Sequence, residues 1–280
     1  MLVFGGSTFA QTQKYTMAEA VNGMRTNLAV KNISQFSWSA DGKSYIQAVK
    51  GGYLITDLKT NKQDTLVSLS QLNKNLTDNK FKAVPQIKFI SNSQGYFNSG
   101  GKMVWVEKSG SDWKTKNSVA LDNNAENMKI FGDNQTFAFT VKNNLFVNKN
   151  GKTIAVTNDT DENILNGASN VHRNEFGIDT GIFPAPNSES VAFYRMDQTM
   201  VADYPIIDWS VTPAVNHNIK YPMAGKTSHQ VSLGVFNIKT QNTTFLNIEG
   251  EKDQYLTAVT WSPDSKYIFV GVLNRGQNYL

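Results

Sequence analysis

Phe36-Ser37-Trp38-Ser39, Ala40-Asp41-Gly42-Lys43, Tyr45-Ile46-Gln47-Ala48-Val49, Lys50-Gly51-Gly52, Tyr53-Leu54-Ile55-Thr56-Asp57-Leu58, Lys59-Thr60-Asn61-Lys62, Thr65-Leu66-Val67: this stretch alternates short runs with turns. Aromatic and β-branched residues fill the runs, while Gly, Asp and Asn fill the joints. That is the pattern of consecutive antiparallel strands joined by tight turns. Four such strands make one blade of a β-propeller.

The unit recurs. Degenerate copies start at Ile87-Lys88-Phe89, run from Met128 to Val156, and start again at Gly181-Ile182-Phe183 and at Val259-Thr260-Trp261-Ser262-Pro263-Asp264-Ser265-Lys266. With Trp38, Phe89, Phe131, Phe183 and Trp261 as markers, the first three gaps are of blade length. The last gap is longer and holds an insertion at about 197–226, which should leave the body of the fold and serve a function. The fifth unit ends at Leu280, in what reads as its third strand. Upstream, Tyr15 to Arg25 is the best helix candidate, with Thr16 and Glu19 at capping-box spacing.

A second stretch carries the chemistry: Asn170-Val171-His172-Arg173-Asn174-Glu175-Phe176-Gly177-Ile178. Downstream lie Val191-Ala192-Phe193-Tyr194-Arg195-Met196-Asp197, Asp203-Tyr204-Pro205-Ile206-Ile207-Asp208 and Lys220-Tyr221-Pro222-Met223-Ala224-Gly225. Together these residues resemble the N-terminal β-propeller of the dipeptidyl peptidase IV and prolyl tripeptidyl peptidase group, serine exopeptidases of the prolyl oligopeptidase superfamily. The likeness is densest from about Ser169 to Gly234. It implies an all-β fold of four-stranded blades, eight in the family, of which about four and a half are covered here. It also implies a catalytic α/β-hydrolase domain that these residues lack, and a family habit of forming homodimers. The resulting expectation is a signal-peptide remnant at 1–10, a lead-in with a short helix at 11–35 and an incomplete propeller at 36–280.

Glu175 is the residue on which function should turn. An exopeptidase must recognise a free α-ammonium, which water solvates well. A carboxylate in a partly dry pocket offsets that desolvation through charge-assisted hydrogen bonds and measures how far from the N-terminus the chain is cut. By resemblance, the family's acidic anchor falls on Glu175. The dipeptidyl peptidases carry two adjacent acidic residues there, whereas Asn174-Glu175 looks more like the tripeptidyl enzyme. On the residues alone, Glu175 could instead be a salt-bridge partner of Arg173 or Arg195. Asn174 could bond the substrate amine or backbone, or favour a tight turn. Arg195 and Asp197 suit a mutual or cross-blade salt bridge that shapes the pocket better than direct substrate contact. Tyr204, Pro205, Tyr221, Pro222 and Met223 would shape the insertion. Phe183-Pro184-Ala185-Pro186 departs from the family's Phe-Trp-Ser-Pro, and its proline removes a ladder donor.

Composition bounds the rest. The 280 residues are 40% hydrophobic and 18% charged, with net charge +4 and pI near 9.0. The lysines are scattered rather than clustered, which argues against nucleic acid as partner. The absence of cysteine excludes disulfides, thiolate metal sites and a cysteine nucleophile. His172, His217 and His229 are far apart, and Asn158-Asp159-Thr160-Asp161-Glu162 lacks the glycine and terminal glutamate of a calcium loop. No metal or cofactor is expected, and each histidine reads as a surface or hydrogen-bonded structural residue. No Gly-x-Ser-x-Gly elbow occurs, so no catalytic residue is assigned. Thr8 and Ala10 before Gln11 suit a signal-peptidase cut in a clipped leader, the alternative being a buried tail. No run reaches membrane-spanning length.

The expected function is therefore the propeller portion of a periplasmic or secreted bacterial prolyl-specific tripeptidyl or dipeptidyl peptidase. Its partners would be peptides with proline near the N-terminus and the hydrolase domain of the same full-length chain. The rival from another class is a non-catalytic propeller used as a binding scaffold, since a fold alone does not fix function.

Overall fold

The structure, a computed structural model, describes residues 14–26, 28–30, 35–74, 80–168 and 171–280. The expected leader remnant at 1–10 lies outside the described residues. Two compact units are present, Met1–Asn98 with Val104–Asn117 and Ser99–Met103 with Ser118–Leu280. Helix α1 (Met17–Asn22) is held by the capping box its sequence announces. The Glu19 N–H donates to Thr16 Oγ1 at 3.2 Å, and the Thr16 N–H donates back to the Glu19 carboxylate at 3.0 Å. A short 3-10 turn, Gly23–Arg25, follows.

The first unit holds the meander β1 (Phe36–Trp38), β2 (Ser44–Val49), β3 (Gly52–Asp57) and β4 (Gln63–Ser68), paired in that order. After α2 (Leu69–Lys74) comes a second meander in sequence order, β5 (Lys88–Ser91), β6 (Gln94–Ser99), β7 (Lys102–Ser109) and β8 (Asp112–Ala120). Ile46, Tyr53, Val67, Leu72, Phe97 and Trp113 are among the residues that fill its core. The two polar tips buried there are satisfied. Trp113 Nε1–H donates to Leu66 O at 2.9 Å, and the Tyr53 hydroxyl donates to Gln35 while accepting the Ile87 N–H.

The second unit contains β9 (Ala125–Ile130), β10 (Phe137–Val141), β11 (Asn144–Lys149) and β12 (Lys152–Ala155), again one four-stranded sheet. Next come β13 (Ile164–Asn166), α3 (Arg173–Phe176), β14 (Ile182–Pro184) and β15 (Ser190–Asp197). The insertion forms a separate hairpin of β16 (Asp203–Asp208) and β17 (Val215–Lys220), and the sheet resumes with β18 (Gln230–Asn237) and β19 (Asn242–Phe245). Strand order is β13-β15-β18-β19, with β14 also paired to β15. The pair β20 (Tyr255–Trp261) and β21 (Ile268–Leu273) ends the described chain.

Strand β15 explains the unbroken apolar run Val191-Ala192-Phe193-Tyr194. Alternate residues of a strand face opposite sides, and here both sides are cores. Val191 and Phe193 pack with Phe131, Leu145 and Ile182, while Ala192, Tyr194 and Met196 pack with Val171, Leu233 and Leu256.

Pro184 is accommodated without loss. The bonded pairs Tyr194 N–H to Gly181 O and Ala185 N–H to Ser190 O flank it, so position 184 falls where the strand needs no donor toward β15. The fifth unit departs from its reading. Instead of a third strand, residues 274–279 close a turn, with the Asn278 and Tyr279 N–H groups donating to Asn274 Oδ1.

Candidate functional site

Glu175 sits on the one-turn helix α3, in the loop between β13 and β14. The helix is bracketed by two left-handed residues, His172 (φ 53°) before it and Gly177 (φ 65°) after it. Gly177 is an ordinary helix-ending choice. His172 is not, because a side chain with a Cβ adopts that conformation at a cost of roughly 1–2 kcal/mol. The turn is closed by the Phe176 N–H, which donates to His172 O at 3.0 Å.

Tyr194 holds both ends of this loop. Its backbone carbonyl accepts the Gly167 N–H at 2.8 Å, and its N–H donates to Gly181 O at 2.9 Å. The neck is tight enough to require glycine. A Cβ at Gly181 would lie 2.3 Å from Ala168 O, and one at Gly167 would lie 2.9 Å from the Ile182 side chain.

The floor under α3 is aromatic. His172 is 2% exposed, and its ring meets Tyr255 at 5.1 Å, His229 at 5.6 Å, Tyr194 at 6.1 Å and Phe176 at 6.3 Å between centroids. Phe176 also packs edge-on against Tyr255 at 5.0 Å. The Arg275 guanidinium lies over the Tyr255 ring at 5.0 Å and donates to the Tyr255 hydroxyl. The Tyr194 hydroxyl donates to Leu256 O at 2.6 Å, and burial raises its pKa.

Electrostatics follow from this packing. Burial, together with the like charges of His229 and Arg275, pushes the His172 pKa down to about 4. Burial and Arg275 also lower that of His229, while the nearby Glu175 charge pulls it back up. Neither ring nitrogen of His172 meets a hydrogen-bond partner among the described residues. Glu175 itself is exposed, and among the described residues no cation lies within ion-pair distance of it.

Arg195, weighed above as a partner for Glu175, is engaged elsewhere: its Nη2 lies 2.7 Å from Asp159 Oδ1. Arg195 and Asn166 face each other across β15 and β13, and both donate to Asp159. Asp159 in turn is held below the usual carboxylate range, chiefly by Arg195. The pair is thus a bridge between the segment after β12 and the next sheet, and Arg195 does not pair with Asp197. Asp197 instead accepts the Thr199 N–H and hydroxyl, at 2.9 and 2.7 Å, in a local turn. Arg195 and Asp197 do share a cavity of about 290 Å³, lined also by Gln230, Ser232, Glu251 and Gln254. Tyr204 belongs to the β16–β17 hairpin, where it packs against Tyr221 at 5.6 Å. The side chains of Arg173 and Asn174 lie outside the described residues.

Three participants left no local sign in the sequence. His229, Tyr255 and Arg275 join His172 only through folding, across gaps of many tens of residues. Among the described residues, no three His, Asp or Glu side chains gather as a metal site requires.

The chain and its fold have counterparts in known proteins. A family model described as the dipeptidyl peptidase IV N-terminal region matches residues 86–280. Dipeptidyl peptidase 4 of Trichophyton rubrum is 24% identical over 272 residues, covering 92% of this chain and 34% of that protein. The crystal structure of a Bacteroides ovatus protein described as a dipeptidyl aminopeptidase IV superposes with a TM-score of 0.79 at 32% identity, over 89% of this chain and 34% of the other. Dipeptidyl peptidase 4 of Porphyromonas gingivalis shares the fold, with a TM-score of 0.74 at 20% identity over 96% of this chain and 40% of that one. The sheets described above are accordingly blades of a β-propeller. The chain spans between a third and two fifths of the length of these three proteins.

Proposed function

Because the chain belongs to the dipeptidyl peptidase IV N-terminal region family, we propose that it is the substrate-gating propeller portion of a serine dipeptidyl peptidase, with Glu175 as the anchor for the substrate's free α-ammonium. The observation that carries the reading is the state of Glu175. Its carboxylate is exposed and unpaired among the described residues, on a turn pinned at both ends and braced by an aromatic floor. A carboxylate meant for internal stability would be paired inside the fold, as Asp159 is. One left free on a rigid support is ready to take a cation from outside, and an N-terminal ammonium supplies three donors for it.

In this reading the hydrolase domain of the full-length protein supplies the Ser-Asp-His chemistry and the preference for proline near the cut. The protein is exported to the periplasm or beyond, and it works as a homodimer. Dipeptide release agrees with the names of the relatives. Tripeptide release is the second reading, favoured by the single acidic residue of Asn174-Glu175.

Kinetics of the full-length protein on Xaa-Pro and Xaa-Xaa-Pro chromogenic substrates, each with a free and an acetylated N-terminus, test both readings. A strong preference for the free amine that is lost in Glu175→Gln supports the anchor, and the better substrate length decides between dipeptide and tripeptide release. Equal rates on free and acetylated substrates overturn the anchor. No hydrolysis of any of them returns the scaffold alternative.

A further inference from the structure

His172 is the most costly residue in the site. It combines a left-handed backbone with an imidazole that is 2% exposed and has no hydrogen-bond partner among the described residues for either nitrogen. A buried polar group without partners is expensive, and phenylalanine would fill the same aromatic floor without that expense. We propose that His172 is a positioning residue for Glu175 and that it holds the anchoring turn only while it and His229 are uncharged, which makes capture of the substrate ammonium proton-gated. The inference rests on Glu175 being the amine anchor.

The geometry supplies the coupling. His172 O closes the α3 turn through the Phe176 N–H, and the His172 ring meets the Phe176 ring edge-on at 6.3 Å, so an imidazole that leaves its place removes packing from the residue next to Glu175. The ionisable and charged groups around the two imidazoles come from every surrounding element. Glu175 lies on α3, His229 just before β18, Tyr194 on β15, Tyr255 on β20 and Arg275 beyond β21. None offers an acceptor within bonding distance of the His172 nitrogens, and two of them, His229 and Arg275, repel a proton there. A proton on His172 therefore drives the ring out toward water and takes the turn with it. A proton on His229, which the Glu175 charge attracts, turns that imidazole into an internal competitor for the carboxylate. Both events weaken amine binding as acidity rises. Neither group belongs to the Ser-Asp-His set that the hydrolase domain supplies in this reading.

The test is steady-state kinetics of the full-length peptidase between pH 4 and 8, on free and acetylated forms of one substrate, for wild type, His172→Phe, His172→Ala and His229→Gln. For wild type with the free-amine substrate, KM should rise about twofold or more from pH 7 to pH 4, where about half of His172 carries a proton, while kcat changes far less. His172→Ala should raise KM at pH 7 about tenfold. His172→Phe, which keeps the ring, should recover most of that affinity and show a flatter KM profile, with only the part due to His229 left. His229→Gln should flatten part of the profile and carries the comparison if either His172 variant does not fold. A wild-type KM that is level with pH, or a His172→Phe profile that matches wild type, overturns the gating while leaving the amine preference standing. Absence of any preference for the free amine at pH 7 overturns the anchor reading and this inference together.

Discussion

Arg195 and Asp159 form a partly buried ion pair, Nη2 to Oδ1 at 2.7 Å, that ties strand β15 to the segment following β12. Each side chain keeps about a quarter of its surface in water, so the pair lies between the exposed case, worth little, and the fully buried case, where loss of one partner costs 3–5 kcal/mol. Replacement of Arg195 by Met or Asp159 by Asn should each destabilise by about 1–2 kcal/mol. The double variant should cost less than the two added together. A urea double-mutant cycle measures this, and strict additivity would show that the pair contributes nothing. The carboxyl of Asp159 titrates below its ordinary value of 3.8. Its contribution is therefore intact above pH 4 and fades as pH falls through the lower folded value.

Glu175→Gln removes charge while keeping shape. The carboxylate is exposed before substrate arrives, so the loss should follow a charge-assisted hydrogen bond rather than a deeply buried pair, about 2 kcal/mol, or roughly thirtyfold in kcat/KM. Acetylated substrates should be slow for wild type and indifferent to the change. Because Glu175 makes no ion pair among the described residues, unfolding stability should stay within about 0.5 kcal/mol of wild type. A lowered denaturation midpoint with equal small losses on both substrates would instead mark it as structural.

His172 makes the fold itself sensitive to acid. Its folded pKa of about 4 lies below the ordinary 6.5, so the unfolded chain takes up the proton first. The stability at stake is fully present above pH 6.5 and is lost as pH falls from there toward 4, in total about 3 kcal/mol. Denaturation midpoints measured at pH 7.5, 5.5 and 4 should fall more steeply for wild type than for His172→Phe. Parallel curves would mean that His172 is not buried uncharged.

Gly181→Ala tests the neck of the loop. The added methyl would stand 2.3 Å from Ala168 O, and backbone cannot yield as a flexible side chain can. The expected cost is about 1–3 kcal/mol. Because the displaced segment leads to Glu175, the free-over-acetylated preference should drop as well. A change in stability that leaves the preference at wild-type level would show that the neck does not govern the anchor.

What could be read from the sequence was whatever repeats locally. The Phe36–Val67 unit became a four-stranded blade with its turns where Asp41-Gly42, Gly51-Gly52 and Asn61 stand, and Thr16 with Glu19 became a capping box. These features depend on contacts between residues a few positions apart. The Trp-Ser-x-Asp-x-Lys text is a case in point. Ser39 Oγ donates to Asp41 at 2.7 Å, and Ser262 Oγ repeats the bond to Asp264 at 2.6 Å. Illegible features depend on distance in the chain. Nothing near Arg275 says that it will cover Tyr255, and nothing near His172 says that it will be sealed beside His229. Strand β13 and helix α2 were also unannounced, being short and stabilised mainly by what they pack against. Nothing in Asn158-Asp159-Thr160 shows that Asp159 will be paired, because its partner, Arg195, is supplied by another sheet.

The double attachment of the Glu175 loop to Tyr194 makes the loop an interchangeable part. Both of its ends are moored to the N–H and the C=O of one fully buried residue in the middle of strand β15, so the blade bears most of the load of folding, with Val171 and His172 the loop's own share. Lengthening, shortening or rewriting the text between Gly167 and Gly181 alters how high the carboxylate stands without asking any strand to change register. A lineage that needed to release longer or shorter fragments could therefore retool this one insert and inherit the rest of the machine unchanged.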